Sequence, residues 1–144
     1  MHVVQKTFLP EVFGLVRAIR KRFDARATSI DMTYARAQAL MSIASCEGLT
    51  QVDLAERLDI RTPSMNRTLD NLEAAGLIER RASAEDKRVR RLYLTPAARA
   101  RAEAVVDFTD ELRREVYRGI DPAELDRALA TIRKIQANLA AMER

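Results

Sequence analysis

The run TQVDLAERLDIRTPSMNRTLDNLEAAGLIERR, Thr50 to Arg81, decides the fold. Thr50 can cap a short helix in which Val52, Leu54, Ala55 and Leu58 are apolar. Asp59, Ile60 and Arg61 break it. Thr62-Pro63 then offers a cap followed by proline at the first helical position, a strong start signal. Met65, Leu69 and Leu72 recur at spacings of four and three, and Gly76 ends this second helix with a left-handed cap. Two helices around a tight break form a helix-turn-helix, and the residues that follow decide which kind.

After Gly76 the hydrophobic period changes. LIERR (77–81) and VRRLYLT (89–95) are short, rich in Leu, Ile, Val and Tyr, and separated by the polar ASAEDKR (82–88). They read as two antiparallel strands joined by a loop longer than a two-residue turn. The chain has 25 Lys and Arg against 21 Asp and Glu, a formal net charge of +4. Residues 80–91, RRASAEDKRVRR, hold six cations against two acids, which equals the excess of the whole chain. A charge run is ordinarily a solvated face. On a hairpin behind a helix-turn-helix it is a basic wing, anchored by Leu92 and Leu94, with affinity for a polyanion.

Outward from this centre, Pro10 can open a first helix along Val12, Val16, Ile19 and Phe23. A second helix is expected from Thr33 to Cys46, with Tyr34, Ala37, Leu40, Met41 and Ala44 inward and Gly48 as the stop. Beyond the hairpin, Thr95-Pro96 opens a long helix through Val105, Phe108, Leu112 and Val116 that ends near Gly119. Asp121-Pro122-Ala123-Glu124 has the form of a capping box. It starts a last helix striped with Leu125, Leu129, Ile132, Ile135, Leu139 and Met142. The fold class is therefore mainly α with a small β-hairpin: a winged helix-turn-helix with a helical dimerisation region formed by the N- and C-terminal helices. The 144 residues read as one domain. Within it, 33–95 is the winged helix-turn-helix DNA-binding lobe, and 1–32 with 96–144 is the dimerisation region. The two terminal stripes, Val12 and Val16 with Leu125, Leu129, Ile132, Ile135 and Leu139, call for a partner helix, and a second copy of the chain supplies one.

In a helix-turn-helix the second helix enters the major groove. Turning Met65, Leu69 and Leu72 inward leaves Thr62, Ser64, Asn66, Arg67, Asp70 and Asn71 outward. Arg can read guanine and Asn adenine. Thr62, Ser64, Asn66, Arg67 and Asn71 are the candidate base readers, with Arg57 and Arg61 placed for phosphates. Lys87, Arg88 and Arg90 belong to the wing, whose tip is suited to a narrow minor groove. Asp70 and Glu73 are expected to be solvated or paired with Arg67, and Arg90 and Arg91 to pair with Asp86 or Glu79.

Residues 50–96 closely resemble the DNA-binding region of the MarR family of bacterial transcriptional regulators, through TQVDLAERLDI, TPSMNRTLDNLEAAGLIERR and DKRVRRLYLTP. The spacing Asp86-x-Arg88-x-x-Arg91 is similar to the family's wing signature, and PSMNRTLDNLE is most similar to its SlyA branch. The resemblance implies a sequence-specific double-stranded-DNA-binding regulator, mostly of the repressor kind, acting as a homodimer on a pseudo-palindromic operator. It implies Arg88 in the minor groove, Asp86 and Arg91 shaping the wing, and an aromatic or phenolic effector that releases the DNA. Phe13, Arg17, Thr33 and Tyr34 are the candidate ligand pocket. Asp59 stands where the family commonly has Gly, and Asp tolerates the left-handed backbone required. The family's peroxide sensors carry a cysteine near the start of the first helix. Here that segment has none, and Cys46, the single cysteine, is expected to be a small buried hydrophobe.

An enzyme is not expected. The single histidine, His2, sits at the terminus, and no HExxH, CxxC or glycine-rich phosphate loop occurs. No metal site and no cofactor is expected. No apolar run approaches the roughly 18 residues of a membrane span, and the N-terminal stretch lacks signal-peptide features, so a cytoplasmic location is expected. Two other functions compete with a regulator. A non-specific architectural DNA-binding protein would not need the Ser64, Asn66, Arg67 face, and a winged-helix protein-interaction module would not need six cations on the wing.

Overall fold

The computed structural model describes residues 1–142. Among them, six helices and one two-stranded antiparallel hairpin follow in the expected order. Helix α1 is Val3–Ala27, followed by a 3-10 turn at Thr28–Ile30. Helices α2, Tyr34–Ser45, α3, Gln51–Leu58, and α4, Thr62–Ala74, come next. Strands β1, Ile78–Ala82, and β2, Arg90–Leu94, pair from Ile78 opposite Leu94 to Ala82 opposite Arg90. Helices α5, Pro96–Val116, and α6, Pro122–Met142, complete the chain.

Contacts divide the chain into two compact units, residues 1–109 and residues from Asp110 onward. The first holds α1 together with the helix-turn-helix and the hairpin, and the division falls inside α5. The core of this unit is built from Leu40, Ile43, Leu54, Met65, Leu69 and Leu92, each at most 1% exposed. Phe23 joins α1 to it. Its ring meets Tyr34 edge-on at 5.5 Å and Phe108 edge-on at 5.0 Å, a favoured aromatic geometry.

Several local expectations are corrected. Helix α1 begins at Val3, not Pro10, because His2 and Gln5 form a reciprocal capping box: His2 Nδ1 accepts from Val4 N–H, and Gln5 Oε1 accepts from His2 N–H at 2.9 Å. Pro10 therefore lies inside the helix, where its missing N–H leaves the Lys6 carbonyl without its usual donor. In α2 the buried positions are Ala37, Ala39, Leu40 and Ile43, whereas Ala44 is exposed. Ala37, Leu40 and Ile43 recur at spacings of three, with Ala39 four residues before Ile43, and Tyr34 and Met41 are half-buried. Arg61, not Thr62, is the N-cap of α4, so Pro63 lies one position deeper than expected. The Thr95 hydroxyl donates to the Gly76 carbonyl at 2.6 Å and so ties the start of α5 to the end of α4. Cys46 is exposed, because it caps the C-terminus of α2 rather than packing beneath it.

The second unit contains the end of α5 and α6. Asp121 accepts from Ala123 N–H at 2.9 Å and so caps α6. Among its described residues, no α6 side chain is buried: Leu129 is 45%, Ile132 37% and Leu139 57% exposed.

Candidate nucleic-acid interface

The turn between α3 and α4 fixes the approach of the recognition helix. Asp59 takes φ 49° and ψ 49°, the left-handed conformation, and Ile60 N–H closes the end of α3 on the Ala55 carbonyl at 3.0 Å. Burial of Met65, Leu69 and Leu72 then turns Thr62, Ser64, Arg67 and Asn71 to solvent. Arg57 and Arg61 are exposed beside the turn. Asn66 is different. It is half-buried, and its Oδ1 accepts from Gln51 Nε2 on α3 at 3.1 Å.

The six cations of 80–91 divide into two kinds. Arg80 on β1 reaches back to α4, where it pairs with Asp70 and with both carboxylate oxygens of Glu73, at 3.1 and 3.3 Å. Asp70 and Glu73 are therefore solvated, as expected, but their cation is Arg80 rather than Arg67. The hydrogen bond from Arg80, aided by its charge, lowers the Glu73 carboxyl below its ordinary value of 4.5. Arg81 binds Glu79 at 2.7 Å and lies over the Tyr93 ring at 4.3 Å. Arg91 donates through Nη1 to the Gly48 carbonyl at 3.0 Å and through Nε to Ser83 Oγ at 3.3 Å. Its expected acidic partners are thus replaced by the Gly48 carbonyl ahead of α3 and the Ser83 hydroxyl just past the end of β1.

The remaining three, Lys87, Arg88 and Arg90, stand at or beside the loop and are exposed. Asp86 shapes that loop by accepting from Arg88 N–H at 3.0 Å and Arg88 Nε at 3.3 Å. The Arg88 side chain nevertheless remains 92% exposed. The base of the hairpin is tied to the helix-turn-helix. Gly48 N–H binds the Leu92 carbonyl at 2.8 Å, Leu92 N–H binds the Leu49 carbonyl at 2.9 Å, and Thr50 bridges Arg91. A cleft of about 400 Å³ lies between the first turn of α3 and the wing, lined by Gln51, Val52, Arg88 and Arg90 among others. Val52, expected as an apolar face residue of α3, is 67% exposed there.

A family model described as the MarR family matches residues 30–89. A solved structure described as the transcriptional regulator PA3341 is 31% identical over 93% of this chain and 98% of its own, with a TM-score of 0.83. This chain belongs to the MarR family. Its winged helix-turn-helix is that of a MarR-family transcriptional regulator. The fold is also similar to that of the regulator SlyA, at 19% identity over 93% of this chain and 94% of that one, with a TM-score of 0.83. The S. aureus MepR–DNA complex matches at 24% identity over 93% and 97% of the two chains, with a TM-score of 0.80.

The residues outside the MarR-type DNA face are placed as follows. Tyr34 is half-buried, with its ring against Phe23 and Arg20 Cζ 5.1 Å from the ring centroid, and its hydroxyl accepts from Gln38 at 2.7 Å. Thr33 caps α2 by accepting from Arg36 N–H at 3.2 Å. Arg17 is exposed and Phe13 is 61% exposed on α1. Phe13 precedes Phe23 by ten residues, about 15 Å of helix, so Phe13 and Tyr34 stand at different levels of α1 within one chain. Val12 is half-buried and Val16 is 47% exposed. Gln51 and Arg80 are absent from the sequence-derived site. Their partners lie 15 residues away for Gln51 and 10 and 7 for Arg80, beyond any helical spacing rule.

Among the described residues, no cluster of His, Cys, Asp and Glu could hold a metal ion, and no helix is long and apolar enough to cross a membrane.

Proposed function

We propose that this MarR-family regulator binds double-stranded DNA sequence-specifically as a homodimer on a pseudo-palindromic operator and represses transcription from it. The observation that carries the reading is the pairing of one exposed polar row, Thr62, Ser64, Arg67 and Asn71, with a wing tip whose Arg88 is 92% exposed. The row has the side chains that read base edges, and the tip has an exposed guanidinium, oriented by Asp86, that can enter an adjoining minor groove. Arg57 and Arg61 supply phosphate contacts. The MepR–DNA complex, from a protein of the same fold, supports DNA as the ligand. PSMNRTLDNLE supports a place in the SlyA-like branch.

The exposed stripe of Leu129, Ile132 and Leu139 on α6, together with Val16 on α1, supports self-association. Two recognition helices on a two-fold axis require half-sites about 34–36 Å apart, one turn of DNA. A small aromatic anion is the proposed releasing ligand, with Arg17 as carboxylate partner, Tyr34 as ring contact and Thr33 beside it; Phe13, at a different level of α1 within one chain, joins that pocket only from the second copy of the dimer.

The test is binding to a selected inverted repeat and to a scrambled duplex across a salt series, with and without salicylate. Specific binding that exceeds scrambled binding by about a thousandfold or more is expected. Equal affinity for both duplexes would make this an architectural protein, and no binding at low salt would make it a protein-interaction module. Unchanged operator affinity in salicylate, with no heat of binding, would remove the effector.

A further inference from the structure

We propose that Gln51 is a specificity-determining positioning residue, which sets the hydrogen-bond polarity that Asn66 offers to a base. The inference rests on the DNA-binding reading above and deepens it. Both side chains line a groove of about 390 Å³ between α3 and α4, and Asn66 directly precedes the exposed Arg67. Gln51 Nε2 donates to Asn66 Oδ1 at 3.1 Å.

An asparagine amide carries an acceptor oxygen and a two-hydrogen donor nitrogen. Its characteristic pairing with adenine uses both at once, accepting from N6 and donating to N7. In this protein the bond from Gln51 takes one of the two lone pairs of Oδ1 and turns that oxygen toward α3. Because the amide is planar, Nδ2 is then directed away from Gln51, and the group that Asn66 presents foremost is its NH₂, a donor. A donor meets two acceptors on guanine, O6 and N7, and one on thymine, O4; adenine offers N7 beside a donor of its own, N6, and the major-groove edge of cytosine presents only a donor. Asn66 therefore selects an acceptor-bearing edge, guanine foremost, instead of the adenine that its residue type alone suggests. Gln51 need not touch the base to determine this.

The experiment is selection from a pool of randomised duplexes, followed by sequencing, with wild type, Gln51→Ala, Gln51→Glu and Asn66→Ala. For wild type, one position per half-site should favour guanine or thymine and exclude cytosine, and Asn66→Ala should lose that preference. Gln51→Ala frees both amide groups, so adenine should gain roughly tenfold over guanine at the same position. Gln51→Glu keeps the length and shape of the side chain but accepts from Asn66 Nδ2. It should therefore present Oδ1 outward and raise adenine and cytosine. Whatever the Glu charge does to total affinity acts on all sequences alike, so the base preference remains the readout. Gln51 lies at the first turn of α3 and is half-exposed, so its variants are expected to fold, and thermal melting of each variant checks this.

An identical preferred base for wild type and both Gln51 variants, with only affinity changed, would make Gln51 a backbone contact and overturn the proposal. So would a wild-type preference for adenine at the position that Asn66→Ala relaxes. A wild type that enriches no motif would overturn the DNA-binding reading itself, and this proposal with it.

Discussion

Arg80 of β1 grips Glu73 of α4 with both ends of its guanidinium, Nη2 to Oε1 at 3.1 Å and Nε to Oε2 at 3.3 Å, and it also holds Asp70 one turn earlier. The recognition helix and the wing are thus joined by a bidentate, charge-assisted contact in addition to the chain itself.

Loss of this contact should be measurable but modest, because Glu73 and Asp70 are 45% and 63% exposed at the side chain. Arg80→Ala is expected to lower stability by about 0.5–1 kcal/mol at neutral pH, after discounting for solvent. Glu73 has its carboxyl lowered in the folded state, so its contribution is full above the ordinary value of 4.5 and disappears as pH falls through the lowered one. Denaturant melts of wild type and Glu73→Gln should therefore differ near neutrality and converge in acid. A gap that persists at acid pH would show that the pair is not what stabilises the contact.

Arg88 and Arg91 should separate cleanly. Arg91 ties the Gly48 carbonyl to Ser83 at the start of the wing loop, so Arg91→Ala is expected to destabilise the fold by about 1–3 kcal/mol. Arg88→Ala should leave the melting temperature unchanged and lower the salt slope of DNA binding by roughly one per wing. Its affinity loss should be largest on operators with A·T-rich flanks, and Arg88→Lys should restore only part of it. Equal losses on both kinds of flank would make Arg88 a diffuse phosphate contact.

Arg67, exposed on α4, is expected to read a base. Arg67→Ala should cost about 1–3 kcal/mol on the selected operator and relax one position per half-site. The same loss on random duplex would reduce it to a phosphate contact.

In the proposed dimer a charge on α6 would face the partner. Leu129→Asp or Ile132→Asp should raise the dissociation constant by about thirtyfold or more, as a disrupted interface centre does. Light scattering should return twice the chain mass of 16.3 kDa for wild type at micromolar concentration. A monomer mass for the wild type would remove the dimer.

The elements with local signals were legible in the sequence. Met65, Leu69 and Leu72 mark α4, and Asp59 occupies a left-handed turn that its short side chain tolerates. The exposure of Cys46 and Val52 is not legible, for one reason: apolar character says what a residue tolerates, whereas exposure depends on which element covers it. Among the described residues, none covers Cys46 at the end of α2 or Val52 where α3 faces the wing. The partners of Arg80, Arg91 and Gln51 lie across element boundaries. Gly48, which accepts from Arg91, is 43 residues away, a pairing that exists only once the hairpin has folded onto the turn.

The attachment of the hairpin base to residues 48–50 has a thermodynamic consequence. Fixing one residue's backbone costs about 1–2 kcal/mol in conformational entropy, a cost that a floppy ribbon would meet each time it entered a groove. Here the strands are immobilised during folding, and the loop that joins them is already closed by Ser83 N–H on the Val89 carbonyl at 2.8 Å and Val89 N–H on the Asp86 carbonyl at 3.0 Å. The backbone of the wing therefore arrives at DNA already ordered, and the disorder left to lose resides in the side chains of Lys87, Arg88 and Arg90.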